Sequence, residues 1–286
     1  RASAIAHCAE TGGGCGETWR RRKFEEWVDL TRMQRGRTRR TTEVFSAGRR
    51  WLSGGGGPSQ IRVLNPSCLT RGEGRSKLSE ALREDGVCVV KDVFPSSWIQ
   101  DRLCSARQKF DECISVAAGH AGRFEVGIQH GFKEAVHRAR GRYDILLGVN
   151  GAREFLDGEL RFSHLVQQVF GSDHKLLFNG MLYSLPGCAE QAWHADGEHL
   201  FASKEYNLLP LHCLNVFVPL VDIVSRGPHA NGGTEFCLQS HRLTCGEDNI
   251  IWQCPQHKEA IGHKSAPAPL DCTAGSIVLF DYRILH

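Results

Sequence analysis

The sequence predicts a mostly β protein with flanking helices, whose core is an antiparallel double sheet or jelly roll. Patterns with helical periodicity come first in the chain, and short apolar segments separated by Pro, Gly, Asn and Asp follow them. The 286 residues suffice to bury a sizeable core. With 41% hydrophobic and 23% charged residues, the chain is neither wholly disordered, collagenous nor a coiled coil.

The helical patterns lie in the first part of the predicted domain. Leu78–Asp85, followed by Gly86, is typical of a short helix with a glycine stop. The apolar run Val87–Val90 then predicts a buried strand. Ser96 and Ser97 can cap a second, amphipathic helix that extends to about Ala117, because apolar residues recur there at steps of three and four. A third helix is predicted over 160–170.

The strand patterns dominate the second part. They are rich in β-branched, aromatic and other apolar residues, and they cover Leu176–Ser184, Leu211–Leu220, Thr234–Gln239 and Ser276–Leu285. The polar, Pro-containing stretch from Thr244 to Leu270 predicts a long loop over one end of the core.

Charge divides the chain at about residue 75. Residues 1–75 carry 15 Lys and Arg against 7 Asp and Glu, a net charge of +8, whereas the rest has a net charge of −5. We interpret residues 1–75 as a basic, low-complexity, disordered leader and residues 76–286 as the domain. An Arg-rich leader is open to four interpretations: a solvated extension, translated sequence upstream of the true start, an organellar transit peptide, or a nucleic-acid arm. Its aromatic residues lack the spacing that would stack successive bases, so a nucleic-acid partner is not favoured.

Cysteines and apolar stretches bear on the compartment. The 12 cysteines form no Cys-x-x-Cys motif or zinc template, and we interpret them mostly as buried free thiols in a reducing, intracellular compartment. Cytoplasmic location is the default expectation, with organellar import through the leader as the alternative. The longest apolar stretches, such as Val216–Val221, are far shorter than the roughly 18 residues of a membrane helix, so no membrane partner is expected.

A His-x-Asp pair is the clearest chemical signal. On a strand, His194 and Asp196 would project from the same face and could present an imidazole nitrogen and a carboxylate oxygen to one point. Two histidines and one carboxylate on one face form the triad of non-haem iron(II) oxygenases. The pair His257 and Glu259 has the same chemistry, but it lies in the predicted Pro-rich loop and ranks lower.

The motifs that follow give this pair its context. Asn231–Phe236 indicates a tight turn leading into a strand that ends at Ser240-His241, and Ala274–His286 indicates a turn, an apolar strand and a final histidine. From about Leu78 onwards, this ordered set resembles the phytanoyl-CoA dioxygenase family of iron(II)- and 2-oxoglutarate-dependent oxygenases.

The resemblance implies a fold, a reaction and a ligand set. The fold would be a double-stranded β-helix, a relative of the jelly roll and the cupins. His194, Asp196 and His286 would bind Fe²⁺. The reaction would consume 2-oxoglutarate and O₂, hydroxylate a C–H bond of a small-molecule or acyl substrate, and release succinate and CO₂. A cupin-like metal-binding module without cosubstrate chemistry is the alternative.

One departure concerns 2-oxoglutarate. The family has an arginine shortly after the distal histidine, and the sequence stops at His286. We therefore expect a domain truncated at its C-terminus that binds metal better than 2-oxoglutarate. Arg283 is not expected to replace that arginine, because on a strand it would face away from His286.

Weaker candidates surround the triad. Gln191, Asn215 and Phe217 are predicted to contact the cosubstrate, the last two because the resemblance places their strand along its pocket. A cross-strand hydrogen bond for Asn215 and core packing for Phe217 are the alternatives. Three other histidines are interpreted as structural or surface residues: His199, His212 and His241.

Overall fold

A computed structural model provides the structure. It describes residues 10–11, 60–69, 73–119, 135–139, 141–146, 163–171, 174–176, 179–191, 193–197, 210–242 and 267–286. Within these ranges the fold mixes helices with small sheets.

Three α-helices and eleven strands make up this part of the chain. The helices are α1 (Glu73–Glu84), α2 (Ser96–Gly119) and α3 (Ser163–Phe170). The strands are β1 (Glu10–Thr11), β2 (Arg62–Leu64), β3 (Val87–Val90), β4 (Ala135–Ala139), β5 (Arg142–Leu146), β6 (His174–Lys175), β7 (Gly180–Ser184), β8 (Leu214–Phe217), β9 (Glu235–Phe236), β10 (Ala268–Pro269) and β11 (Ile277–Asp281). Short 3₁₀ turns cover Pro66–Leu69 and Ser240–Arg242.

The largest sheet has the strand order β2-β3-β11-β8. Strand β11 lies in the middle and pairs antiparallel with both β3 and β8. Strand β2 pairs parallel with β3 at one edge. Both β3 and β11 are buried at every position, which explains their continuous apolar sequences.

The two faces of this sheet pack into different apolar clusters. Leu279 of β11 and Val216 of β8 join the cluster that contains residues of α1 and α2. Phe280 and Phe217, the next residues on the same strands, join a second cluster. This alternation follows from the two-residue repeat of a strand, and it leaves β8 and β11 with one face directed away from the helices.

A second sheet has the order β4-β5-β7 and packs against α2. Phe110 of α2 stacks on Tyr183 with ring centroids 4.3 Å apart, and it meets Tyr143 edge-on at 5.3 Å. Tyr143 and Tyr183 are register partners in neighbouring strands. Three aromatic side chains thus attach this sheet to the helix, and such pairs contribute about 0.5–1.5 kcal/mol each beyond the area that they bury.

Several predicted elements are confirmed, although some bounds differ: α1 begins at Glu73 instead of Leu78, and α2 extends to Gly119. The strand β3 and the helices α1 and α2 lie where the patterns place them. Helix α3 begins at Ser163, and residues 160–162 lie outside the described ranges. Gly86 ends α1 with a φ of 81°, the left-handed conformation that glycine adopts at a helix C-terminus.

Other predicted bounds were wrong. The last strand ends at Asp281, because residues 282–284 form a turn, so Arg283 does not lie on a strand. The predicted loop over 244–270 ends in strand β10, which pairs with β9. Residues 244–266 of that loop lie outside the described ranges.

The predicted boundary at residue 75 falls inside folded structure. Strand β2 and the 3₁₀ turn Pro66–Leu69 precede it, and β2 belongs to the largest sheet. Arg62 joins this segment to the end of α1, since its guanidinium lies 2.6 Å from carboxylate oxygens of both Glu84 and Asp85. The charge pattern did not indicate this strand. Arg62, which links the strand to the core, was counted among the basic residues of the leader. Most of residues 1–59 lie outside the described ranges.

Two further expectations concern the whole chain. None of the eight described cysteines forms a disulfide, and four of them are buried: Cys68, Cys88, Cys213 and Cys237. Among the described helices, none has both the length and the apolar character that a membrane crossing requires.

Candidate metal centre

Three side chains converge near the C-terminus of the described chain. Metal-binding atoms of His194, Asp196 and His286 all lie within 4.8 Å of one another. The Nε2 atom of His194 lies 3.8 Å from Oδ1 of Asp196, and Nε2 of His286 lies 3.9 Å from Oδ2. The two imidazole centroids are 4.5 Å apart. The structure therefore brings together the three residues that the sequence and the resemblance predicted as ligands.

Backbone pairing, rather than a strand, creates this convergence. Residues 193–197 are not assigned to a strand. Instead, the amide of His194 donates to the carbonyl of His286 at 2.9 Å, and the amide of His286 donates back to His194 at 2.8 Å. The amide of Gly197 donates to the carbonyl of Tyr282 at 3.1 Å. The expectation that a strand sets the geometry of His194 and Asp196 was wrong. These residues form no strand, and hydrogen bonds to the C-terminal segment position them instead.

Gly197 allows this close pairing. A Cβ atom at this position would overlap the ring of Tyr282. Only glycine leaves room for the aromatic ring beside the backbone that carries Asp196. The glycine after the His-x-Asp pair thus has a packing role that sequence periodicity alone did not indicate.

A turn directs the chain from β11 to His286. Arg283 folds back onto Asp281, with its Nε and one terminal nitrogen donating to the two carboxylate oxygens at 2.8 and 2.6 Å. Both side chains are buried. Arg283 is thus bound to Asp281. The prediction that it would not serve the cosubstrate rested on a strand geometry that the turn replaces.

Leu285 anchors the segment on its other side. Its carbonyl accepts a hydrogen bond from the amide of Cys237 at 2.9 Å, and its amide donates to the hydroxyl oxygen of Ser240 at 2.8 Å. The last two residues are therefore bonded to two different parts of the chain, Leu285 to the segment 237–240 and His286 to His194.

His286 lies in an apolar environment. The ring centroids of Phe280 and Phe236 lie 5.1 and 5.6 Å from that of the imidazole. Burial lowers the pKa of His286, partly opposed by the charge of Asp196. The Nδ1 atom lies 3.1 Å from the carbonyl oxygen of Ile284, and an N–H there donates to it. This bond leaves Nε2 as the unprotonated nitrogen on the side of Asp196, which is the form that binds a metal.

The predicted cosubstrate residues occupy three different environments. Asn215 is buried, and its amide nitrogen donates to Oδ2 of Asp196 at 2.6 Å. Phe217 is buried and meets Phe280 edge-on, with centroids 4.8 Å apart. Gln191 is exposed. The sequence did not predict the hydrogen bond from Asn215 to the metal ligand Asp196. The feature that could have indicated it is a single amide side chain within an otherwise apolar strand.

The other histidines differ from the triad. His241 is buried, and its Nε2 lies 3.2 Å from the carbonyl oxygen of Arg83. Burial lowers its pKa to about 4. His212 is half-buried. The remaining candidates lie outside the described residues: His199, His257 and Glu259.

The donor set fits a divalent transition metal. Two imidazoles and one carboxylate suit iron(II), and a three-residue face leaves other positions open for small ligands. Nδ1 of His286 donates to the carbonyl oxygen of Ile284, and the amide of Asn215 donates to Asp196. Such outer contacts are typical of metal centres.

A family comparison agrees with this geometry. The family model for phytanoyl-CoA dioxygenase (PhyH) matches residues 82–286, which is more than half of the chain. The chain belongs to the phytanoyl-CoA dioxygenase family. Membership implies an oxygenase of the general iron and 2-oxoglutarate type, with a cupin-like fold. Comparison with curated proteins gave no match.

Proposed function

We propose that this phytanoyl-CoA dioxygenase family member is an iron(II)- and 2-oxoglutarate-dependent dioxygenase. It hydroxylates a C–H bond of a small-molecule or acyl substrate and releases succinate and CO₂. The observation that carries the proposal is the convergence of His194, Asp196 and His286 within 4.8 Å on two backbone segments that hydrogen-bond to each other. The iron, when bound, supplies the oxygen chemistry.

The residues of this chain hold and orient the metal. The His286 side chain is 9% exposed and lies against Phe236 and Phe280, which exclude water from one side of the centre. The His194 and Asp196 side chains are more accessible, at 30% and 24% exposure. This asymmetry supports an arrangement in which small molecules approach from the side of His194 and Asp196.

The proposal extends to the residues that contact 2-oxoglutarate and to the fold of the core. Phe217 and Gln191 are proposed to lie along the path of 2-oxoglutarate, Phe217 as an apolar wall and Gln191 as an amide donor near the entrance. The double-stranded β-helix is proposed for the complete core. The central position of β11 between antiparallel neighbours, with one face towards the metal centre, supports it.

Succinate formation tests the reaction. The full chain is purified without metal, loaded with Fe²⁺ under anaerobic conditions, and exposed to O₂ and ascorbate. 2-Oxoglutarate is supplied at a concentration high enough to offset the weak binding that the sequence predicts. We expect succinate at a rate that depends on Fe²⁺ and that falls to background in Asp196→Ala. The matched control is Asp111→Ala, which changes an exposed aspartate on helix α2.

The assay also separates the two functional hypotheses. Metal binding that requires His194, Asp196 and His286, with no succinate under any of these conditions, would favour the cupin-like metal-binding module. Succinate formation by Asp196→Ala at the parental rate would overturn the assignment of the centre.

A further inference from the structure

The contact between Asn215 and Asp196 links a buried strand to the metal centre. Asn215 lies on β8, opposite Phe280 of β11, and is 2% exposed. Its flanking residues, Leu214 and Val216, pack on the helical side of the sheet. Strand alternation therefore directs Asn215 to the other face, where Asp196 accepts its hydrogen bond.

The chemistry of this pair sets the direction of the bond. An ionised carboxylate only accepts hydrogen bonds, so the Asn215 atom at 2.6 Å from Oδ2 is the NH₂ group. A hydrogen bond to a charged group contributes more than one between neutral groups. A buried amide in an apolar strand is costly unless it is bonded, and the carboxylate provides that bond.

We propose that Asn215 is a positioning residue for the metal centre, one that fixes the Asp196 carboxylate by engaging Oδ2 and leaves Oδ1 as its more available donor atom. This inference rests on the proposed function and changes the predicted role of Asn215. The amide acts through the ligand instead of binding the cosubstrate.

The arrangement has a consequence for coordination. A carboxylate with both oxygens available can bind a metal through one or both of them. An N–H bonded to Oδ2 favours binding through a single oxygen, and a centre with one fewer occupied position keeps room for small ligands. Asn215 would thus contribute to the open face that a three-ligand centre needs.

Cobalt binding tests the proposal without relying on turnover. Co²⁺ affinity is measured by competition with a chelator in the full chain, and the visible absorption spectrum of bound Co²⁺ reports on the number and geometry of its ligands. Asn215→Leu keeps the volume of the side chain and removes the donor. We expect its affinity to fall by about 10–100-fold, the usual cost of losing an outer contact of a ligand, together with an altered spectrum.

Two further variants separate positioning from stability. Asn215→Ala leaves space in which a water molecule can donate to Oδ2, so we expect a smaller loss of affinity than in Asn215→Leu. Val216→Ala truncates the next residue on the same strand, which faces the helical cluster. It should lower the urea midpoint and leave both the affinity and the spectrum of Co²⁺ at their parental values.

Each outcome decides between the two claims. If Asn215→Leu bound Co²⁺ with parental affinity and spectrum, the role of Asn215 would be overturned and the metal centre would stand. A loss in Val216→Ala as large as that in Asn215→Leu would also overturn it, because the effect would then follow from stability alone. A parent protein that bound no Co²⁺ would overturn the metal centre and this inference together.

Discussion

Two histidines of this protein with largely inaccessible side chains, His241 and His286, differ in what surrounds them. His241 lies in a 3₁₀ turn, with Nε2 at 3.2 Å from the carbonyl of Arg83 and its ring against the backbone of Gly86. His286 has one nitrogen bonded to the carbonyl of Ile284, and its other nitrogen lies on the side of the Asp196 carboxylate.

The comparison separates burial from function. Burial lowers the pKa of both side chains, so each favours the neutral imidazole. Only His286 lies beside a second imidazole and a carboxylate with their donor atoms directed together. A shifted pKa in a buried histidine is thus a property of its solvation, whereas a metal ligand is identified by the donors that converge with it.

Substituting each histidine should give the largest contrast. His286→Ala removes a ligand, and we expect the affinity for Co²⁺ to fall by more than the roughly 100-fold that loss of an outer contact can cost. His241→Gln retains a side-chain N–H donor at a position that is not part of the metal centre. This variant should bind Co²⁺ as the parent does. Chelator competition measures both. Equal losses in the two variants would show that the contrast drawn between the two histidines is wrong.

Two glycines provide a second contrast. A Cβ at Gly86 would overlap the His241 ring, and Gly86 also has a φ of 81°. Gly86→Ala should therefore cost about 3 kcal/mol or more of unfolding free energy. A Cβ at Gly197 would overlap Tyr282, so Gly197→Ala should cost about 1–3 kcal/mol.

The two alanine variants differ in metal binding. Gly197→Ala displaces the backbone next to Asp196 and should weaken Co²⁺ binding, whereas Gly86→Ala should change stability alone. Urea midpoints of the metal-free proteins and Co²⁺ affinities are the two measurements. Weaker Co²⁺ binding in Gly86→Ala than in Gly197→Ala would contradict the assignment of the two glycines.

The pH dependence of stability tests the environment of His241 alone. Burial lowers the pKa of His241 to about 4 from its ordinary value of 6.5, opposed by the charge of Asp281 and assisted by Arg283 and Arg242. Between these pH values the unfolded chain binds a proton at His241 that the folded chain does not. The contribution of neutral His241 to the free energy of unfolding is thus fully present above pH 6.5. It is lost as the pH decreases towards 4, by about 3 kcal/mol at most.

The His241→Gln variant isolates this contribution. Its urea midpoint, measured without metal, should decrease less than that of the parent between pH 7 and pH 5. The remaining slope comes from other groups, His286 included, because burial lowers its pKa as well. Parallel pH profiles for the parent and His241→Gln would show that His241 does not titrate in this window.

Local patterns anticipated much of the fold. The helix ending at Gly86, the buried strand Val87–Val90 and the helix beginning at Ser96 follow from apolar spacing and from the conformational preferences of Gly and Ser. Strand β2 was missed, because a three-residue strand with an Arg has no periodicity of its own. It is identified only by pairing with β3 and by the ion pairs of Arg62.

The candidate site shows the same division. His194, Asp196 and His286 were found because residue type and motif order identify metal ligands. The roles of Asn215 and Ser240 were not, since each depends on a partner distant in sequence. Asn215 bonds to Asp196, and Ser240 bonds to Leu285.

By itself, the sequence determined the family and the three residues with metal-binding chemistry, because both depend on residue types in a fixed order. Only the tertiary structure decided how those residues meet. The hydrogen bonds between His194 and His286 join segments that are far apart in the chain, and the turn after Asp281 replaces the strand that local periodicity predicted. Backbone pairing between distant segments depends on the packing of the whole core, and a pattern of neighbouring residues does not contain it.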